Sequence, residues 1–225
     1  MITINPTSLA EELLIINLDQ KKRDFTVVNK KYTEVALAGA MLLELTLQGV
    51  IALRKSEIHV ISEKELEDPL LNKAFSLIKG EEEVYTALYW LREFEYSLGG
   101  IKKQYLDRLI ANNLIAKKEE KILWIIPITK YKLVDPKKRE QIKQRIQDVV
   151  ITPKEVDPRT LALMSLIYAT DCTGEIFTTK EIEEYIAQIR GMVGGEEIGK
   201  SISYTIQMII DAIMRSYIAN PMTAF

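Results

Sequence analysis

Leu37-Ala38-Gly39-Ala40-Met41-Leu42-Leu43-Glu44-Leu45-Thr46-Leu47-Gln48-Gly49 is the stretch on which the fold turns. Thr33 opens it and Gly49 stops it, so the spacing predicts one helix from Thr33 through Gln48. Apolar side chains occur almost all the way round rather than on one stripe, which marks a helix buried in the middle of a domain. The apolar run Val35 to Leu47 covers 13 residues and includes Glu44 and Thr46. A bilayer needs roughly 20 apolar residues, so this helix is too short to span one. The N-terminus, Met1-Ile2-Thr3-Ile4-Asn5-Pro6, lacks the basic region and apolar run of a signal peptide. The expectation is a soluble, cytoplasmic chain whose contact with membranes is peripheral.

Upstream of that helix, Ser8-Leu9-Ala10-Glu11 is a capping box that opens an apolar helix through Leu18. Asp19 to Asp24 reads as a charged turn and Phe25 to Val28 as a β-prone run. Downstream, Ile51-Ala52-Leu53 and Ile58 to Ile61 form a small hairpin pattern. Helices are expected from Asp68-Pro69 to about Ile78, over Glu81 to Leu98, and from Ile101 to about Asn113. Leu114-Ile115-Ala116 then leads into a charged turn, Lys117 to Lys121, and the β-prone Ile122-Leu123-Trp124-Ile125-Ile126 before Pro127. Further helices fit Pro136 to Val149, Asp157 to Thr170, Thr179 to Arg190 and Ile198 to Ile218. No repeat, low-complexity tract or Ser/Gly linker divides the chain, so one mainly α domain over residues 1–225 is expected.

The composition, 47% hydrophobic and 28% charged, is that of an ordinary globular protein. The formal charge of −2 is unevenly spread. Between Lys102 and Arg145 there are 13 Lys or Arg against 5 Asp or Glu, leaving 17 against 27 elsewhere. Such a segregation is either a face for an anionic partner or a solvated helix surface. A lone cysteine, Cys172, excludes an internal disulfide and suits a reducing compartment.

Nothing in the sequence points to catalysis. His59 is the only histidine and lies in an alternating strand pattern, where a structural role is expected rather than a general base. One His and one Cys cannot supply the usual zinc sets, so no metal is expected. Gly99-Gly100 and Gly194-Gly195 lack the spacing of phosphate-cradling loops, and no cofactor is expected. Carboxylate clusters such as Glu81-Glu82-Glu83 fit exposed helix starts. Two features remain: the basic residues Lys102, Lys103 and Arg108, and the run Ile122 to Ile126 bracketed by Lys117, Lys118, Lys121, Lys130 and Lys132. Tryptophan among aliphatic residues and lysines is the composition of an interfacial anchor. Each lysine at an anionic leaflet adds about 1 kcal/mol. The competing reading is a core-facing hairpin, with Leu123 and Ile125 on one side and Trp124 on the other.

Four ordered segments carry a resemblance to the Golgi phosphoprotein 3 family: Leu9 to Leu14, Leu37 to Gly49, Asp68 to Ala74 and Asp157 to Leu163. The resemblance implies a buried central helical core wrapped by amphipathic helices, with a protruding β-hairpin. It also implies peripheral binding of anionic lipid; characterised eukaryotic members read phosphatidylinositol 4-phosphate on Golgi membranes and help retain glycosyltransferases, duties not expected of this chain. The family's headgroup pocket uses a tryptophan and three arginines, and those positions fall here on Asn29, Ala38, Gly99 and Lys102. Lysine cannot reproduce a bidentate guanidinium–phosphate grip. The hairpin is kept better: Lys121, Ile122, Leu123, Trp124 and Ile125 lie where the family's membrane-contacting tip lies. The domain starts almost at Met1, without the basic tail of eukaryotic members, which resembles a reduced or prokaryotic member.

A helix followed by a hairpin is also the pattern of a winged-helix nucleic-acid reader, in which Lys102, Lys103 and Arg108 would meet DNA. The apolar wing and the few base-reading side chains, Gln104, Asn112 and Asn113, disfavour it. A protein scaffold using acidic helical faces is a third reading, and self-association is left open. Trp124 separates the first two. Membrane insertion predicts that Trp124→Ala abolishes vesicle binding while Lys121→Ala only weakens it. DNA binding predicts the reverse order in a gel-shift titration, and equal small effects from both changes would count against each.

Overall fold

In the computed structural model, residues 7–18, 33–122, 125–151, 156–194 and 200–219 are described. The first helix, α1 (Leu9–Ile16), opens on the expected capping box: Ser8 Oγ accepts from Glu11 N–H at 3.3 Å, and Glu11 Oε2 accepts from Ser8 N–H at 2.8 Å. Every residue of α1 is buried, Glu11 and Glu12 included. It ends two residues short of Leu18, at Asn17, whose N–H closes the last turn on Leu13 O. The charged turn and the β-prone run expected between 19 and 28, like Asn29, lie outside the described residues.

Helix α2 (Thr33–Leu47) is the central element, with all of Ala36 to Leu45 buried. Gly49 ends it in the left-handed region at φ +70°, and Val50 N–H bonds back to Leu45 O at 3.2 Å. The chain turns at once into a hairpin, β1 (Ile51–Arg54) and β2 (Glu57–Val60), through Lys55 and Ser56 at φ 52° and 69°. Asp68 caps α3 (Pro69–Gly80), accepting from the N–H groups of Leu70 and Leu71.

The next helix, α4 (Ala87–Ser97), starts six residues later than Glu81, where the sequence pattern places it. Two causes are visible. Thr86 is the N-cap, accepting from Tyr89 N–H, and the chain before it is drawn into β pairing: Ile58 N–H bonds Tyr85 O at 2.8 Å and Glu57 bridges to Thr86. The run Glu81 to Glu83 is therefore an exposed connection, not a helix start. Then come α5 (Ile101–Ala111), the strands β3 (Ile115–Ile122) and β4 (Ile126–Leu133), α6 (Lys137–Ile151), α7 (Pro158–Ala169), a 3-10 turn at Thr173–Glu175, α8 (Thr179–Gly194) and α9 (Lys200–Ala219). The architecture is mainly α, with two separate two-stranded antiparallel hairpins among the described residues.

Helix α2 touches α1, α3, α4, α5, α7 and α9, so the buried residues form one contiguous cluster around it. Gly39 sets the closest approach. A methyl group there would lie 2.4 Å from Ile213 Cδ1 and 2.9 Å from Ile213 Cγ1 on α9. Gly39→Val is expected to cost about 1–3 kcal/mol through overpacking. Gly39→Ala should cost distinctly less, because the Ile213 δ-methyl can turn aside and alanine returns up to about 1 kcal/mol of helix propensity. Urea midpoints at constant m-value measure both; equal losses would mean that the α2–α9 contact does not set this position.

Candidate functional site

The hairpin of β3 and β4 is longer than its sequence pattern suggests. The segment Lys117 to Lys121 is strand rather than turn. Pairing runs from Ile115↔Leu133 to Ile122↔Ile126, with Lys121 opposite Pro127. Proline fits because each strand has an open edge. Ile115 and Leu133 are buried and root the ribbon, and the body meets it chiefly through α5. Eight residues of strand extend about 27 Å. Leu123 and Trp124 lie outside the described residues, but Ile125 at the turn is 81% exposed.

Backbone pairing holds the two strands, and opposite charges along them lie next to one another. Glu120 bonds Lys118 beside it and Lys130 across the ribbon, the latter at 2.9 Å, and Lys117 pairs with Glu119 at 2.8 Å. The hydrogen bonds from Lys118 and Lys130 hold the Glu120 carboxyl down at about 2, and Lys117 holds Glu119 below its usual range. Between residues 115 and 133 five lysines face two glutamates, a net +3. By register, positions 116, 118, 120 and 122 share one face with 126, 128, 130 and 132. Its described charged residues are Lys118, Lys130 and Lys132 against Glu120, so that face is basic on balance.

The three basic residues singled out on α5 have different surroundings. Lys103 is exposed and pairs with Asp107 one turn on, at 2.7 Å. Lys102 is half-buried, and its backbone N–H donates to Glu34 Oε2 of α2 at 3.0 Å. Arg108 points inward: Nε donates to Glu11 Oε1 at 2.8 Å, Nη2 to Ser8 Oγ at 3.0 Å and Nη1 to Asp68 Oδ2. Its guanidinium also lies 4.7 Å over the Tyr105 ring. Burial works against the Arg108 charge, but Glu11 and Asp68 outweigh it and keep the pKa above the ordinary arginine value.

Other arginines of the basic segment do the same. Arg139 donates to Glu175 Oε2 at 2.8 Å and to Ile16 O, and Arg145 to Glu12 Oε2 at 2.6 Å. The local excess of +8 is thus an inward set of arginines tied to buried carboxylates plus an outward set of lysines. The signal that sequence reading missed is Glu11-Glu12 inside an apolar helix, since buried carboxylates require partners.

The positions corresponding to the expected headgroup pocket are altered in a further way. Ala38 is fully buried in α2, and Gly99 and Gly100 form a left-handed bend at φ +65° and +70° that leads into α5. A helix N-terminus attracts anions, and here the Glu34 carboxylate already sits on the first turn. Burial, and then the nearby charge of Glu34, also raises the Glu95 carboxyl pKa.

His59 on β2 is half-buried, with Nε2 3.9 Å from Glu57 Oε2, a partner two residues away that the sequence reading did not identify. Cys172 is buried and its thiol is pushed up to about 11 by burial, which makes it a poor nucleophile. No helix among the described residues is long and apolar enough to cross a membrane.

The sequence profile of the family described as Golgi phosphoprotein 3 (GPP34) matches residues 9–207. That span includes the hairpin, α5 and the arginine network. Arg108→Ala, which strands the buried Glu11, is expected to lower stability by about 2–4 kcal/mol. Lys103→Ala, at an exposed pair, should change it by less than about 0.5 kcal/mol. Urea denaturation of both variants measures the contrast; a neutral Arg108→Ala would contradict the inward assignment.

Proposed function

Because the chain belongs to the Golgi phosphoprotein 3 family, we propose that it is a peripheral membrane-binding protein that engages anionic lipid surfaces through its β3–β4 hairpin. The observation that carries this reading is Ile125, 81% exposed at the turn of a projecting ribbon of net charge +3. Burying an isoleucine side chain in an apolar medium is worth about 1.5–3 kcal/mol. Lysines held at headgroup depth add about 1 kcal/mol each. Lys102 and Lys103 at the start of α5 lie on the same part of the chain and supply further positive charge, without a guanidinium fork to select one headgroup. Phosphatidylinositol 4-phosphate enters this proposal as one anionic lipid among others. The chain acts here as a binder and not as an enzyme. A nucleic-acid reading loses its one arginine on the would-be recognition helix, since Arg108 is engaged with Glu11 and Asp68.

Flotation of the purified protein with neutral, phosphatidylserine and phosphatidylinositol 4-phosphate vesicles tests the proposal. Co-flotation with both anionic vesicles, lost at high salt and in Ile125→Asp, is the expected result. Selectivity for phosphatidylinositol 4-phosphate would point to a specific pocket instead, and no flotation at all would sink the reading. Binding to phosphatidylserine vesicles, whose charge is constant there, should also be nearly flat between pH 8 and 5. A carboxylate with a depressed pKa stays ionised until the pH falls through that value, about 2 for Glu120, so the hairpin charge does not change in this window. A steep rise in flotation toward pH 5 would show that other groups control binding.

A further inference from the structure

The β3–β4 ribbon has two unlike faces, and at its root the body covers only one of them. Ile115 and Leu133 are buried, and Tyr131 packs on the core. By register, positions 115, 117, 119 and 121 share this inner face with 127, 129, 131 and 133. Its described charged residues are Lys117 and Lys121 against Glu119, and Lys117 bonds Glu119 and also feels Asp107 of α5. The outer face is open at the same level: Ala116 and Lys132, paired across the ribbon, are both exposed. Farther along, Lys118 and Lys130 flank Glu120, so three lysines stand against one glutamate. Apolar surface lies at both ends of the ribbon. Val134, 45% exposed, carries the ladder one step past β4 through its N–H bond to Leu114 O at 3.0 Å, which puts it on the side of Lys132. The exposed Ile125 stands nine residues away, about 30 Å along an extended strand.

We propose that the ribbon lies along an anionic bilayer rather than entering it tip first, with the face of Lys118, Lys130 and Lys132 on the leaflet and Val134 and Ile125 seated at its two ends. This rests on the membrane reading above and specifies the surface that performs it. A leaflet's potential falls off within a Debye length, about 8 Å at physiological salt. A ribbon that dips only its turn leaves Lys132 and Val134 beyond that range, whereas one lying flat brings all three lysines within it. The inner face has less to offer, because its root is spent on the body and Asp107 offsets its charge.

The test uses the full chain with phosphatidylserine vesicles, read by flotation and by a polarity-sensitive dye on one introduced cysteine. Cys172 is buried with its thiol pushed up to about 11, so Ala116→Cys and Thr129→Cys label selectively. Both positions are exposed, Ala116 on the outer face near the root and Thr129 on the inner face nearer the turn. A blue shift at 116 and none at 129 is expected; tip-first entry gives the reverse order. Lys118→Gln with Lys132→Gln should weaken binding roughly 20-fold, and Lys117→Gln with Lys121→Gln less than about threefold. Glu120→Gln should tighten it roughly fivefold, with Glu119→Gln near wild type, and Val134→Asp should weaken it at least about fivefold. Equal effects from the two faces, a shift at 129 without one at 116, or an unchanged Val134→Asp would overturn the flat orientation and leave the membrane reading standing. A blue shift at 116 without vesicles would mean that a second copy covers the face and would also overturn it. A wild-type chain that does not float would remove both.

Discussion

One carboxylate, Glu44, has to be satisfied inside the central apolar helix α2, and its partners fix how three helices meet. Its Oε1 accepts from Arg159 Nη1 of α7 at 2.7 Å and its Oε2 from the backbone N–H of Leu9 at 2.9 Å. The second bond quiets one of the orphan donors at the start of α1. Arg159 in turn donates to Thr7 O at 2.7 Å, so the same knot holds the residues just before α1. An unpaired charge at this depth would cost several kcal/mol, whereas a surface pair is worth at most about 1 kcal/mol. The constraint therefore works mainly against alternatives: few other arrangements of α1, α2 and α7 leave Glu44 both buried and paired.

From that knot the arginines build outward along α1. Arg108 reaches Glu11 from α5, Arg145 reaches Glu12 from α6, and Arg139 caps the far end by donating to Ile16 O. Acidic side chains stand at the N-terminal turn of α1 and a guanidinium at its C-terminus, the polarity that the helix dipole favours. Later segments of the chain are thus pinned to the earliest described one, and α5, which roots the hairpin, is among them.

This organisation explains what could and could not be read from the sequence. The all-round apolar pattern of α2, the Ser8 capping box, the Asp68-Pro69 and Asp157-Pro158 starts and the Gly49 stop are local signals, and each lands within a residue or two of the observed boundary. The Arg108–Glu11 and Arg145–Glu12 pairs join residues 97 and 133 positions apart, and no local pattern announces them. The hairpin was half legible. Its apolar end was seen, but Lys117 to Lys121 looked like a turn, because strand signals assume a buried face and a ribbon solvated on both sides has none. Glu81 to Glu83 misled for a related reason: helical periodicity begins there, yet β pairing of Tyr85 and Thr86 with β2 overrides it.

The division between arginine and lysine also bears on how selective a membrane contact could be. A guanidinium fork serves several acceptors in fixed geometry, which suits Ser8, Glu11 and Asp68 around Arg108. The same geometry is what a phosphate headgroup needs for bidentate recognition. Arg108, Arg139, Arg145 and Arg159 are all committed inside, and Glu34 occupies the first turn of α5 where an anion would otherwise sit. The hairpin instead carries lysines, compact hydrated charges on flexible stems, which sense the potential of a surface rather than the shape of one headgroup. On the proposed membrane reading the contact is graded by lipid charge and salt, with the exposed Ile125 supplying the part that salt does not screen.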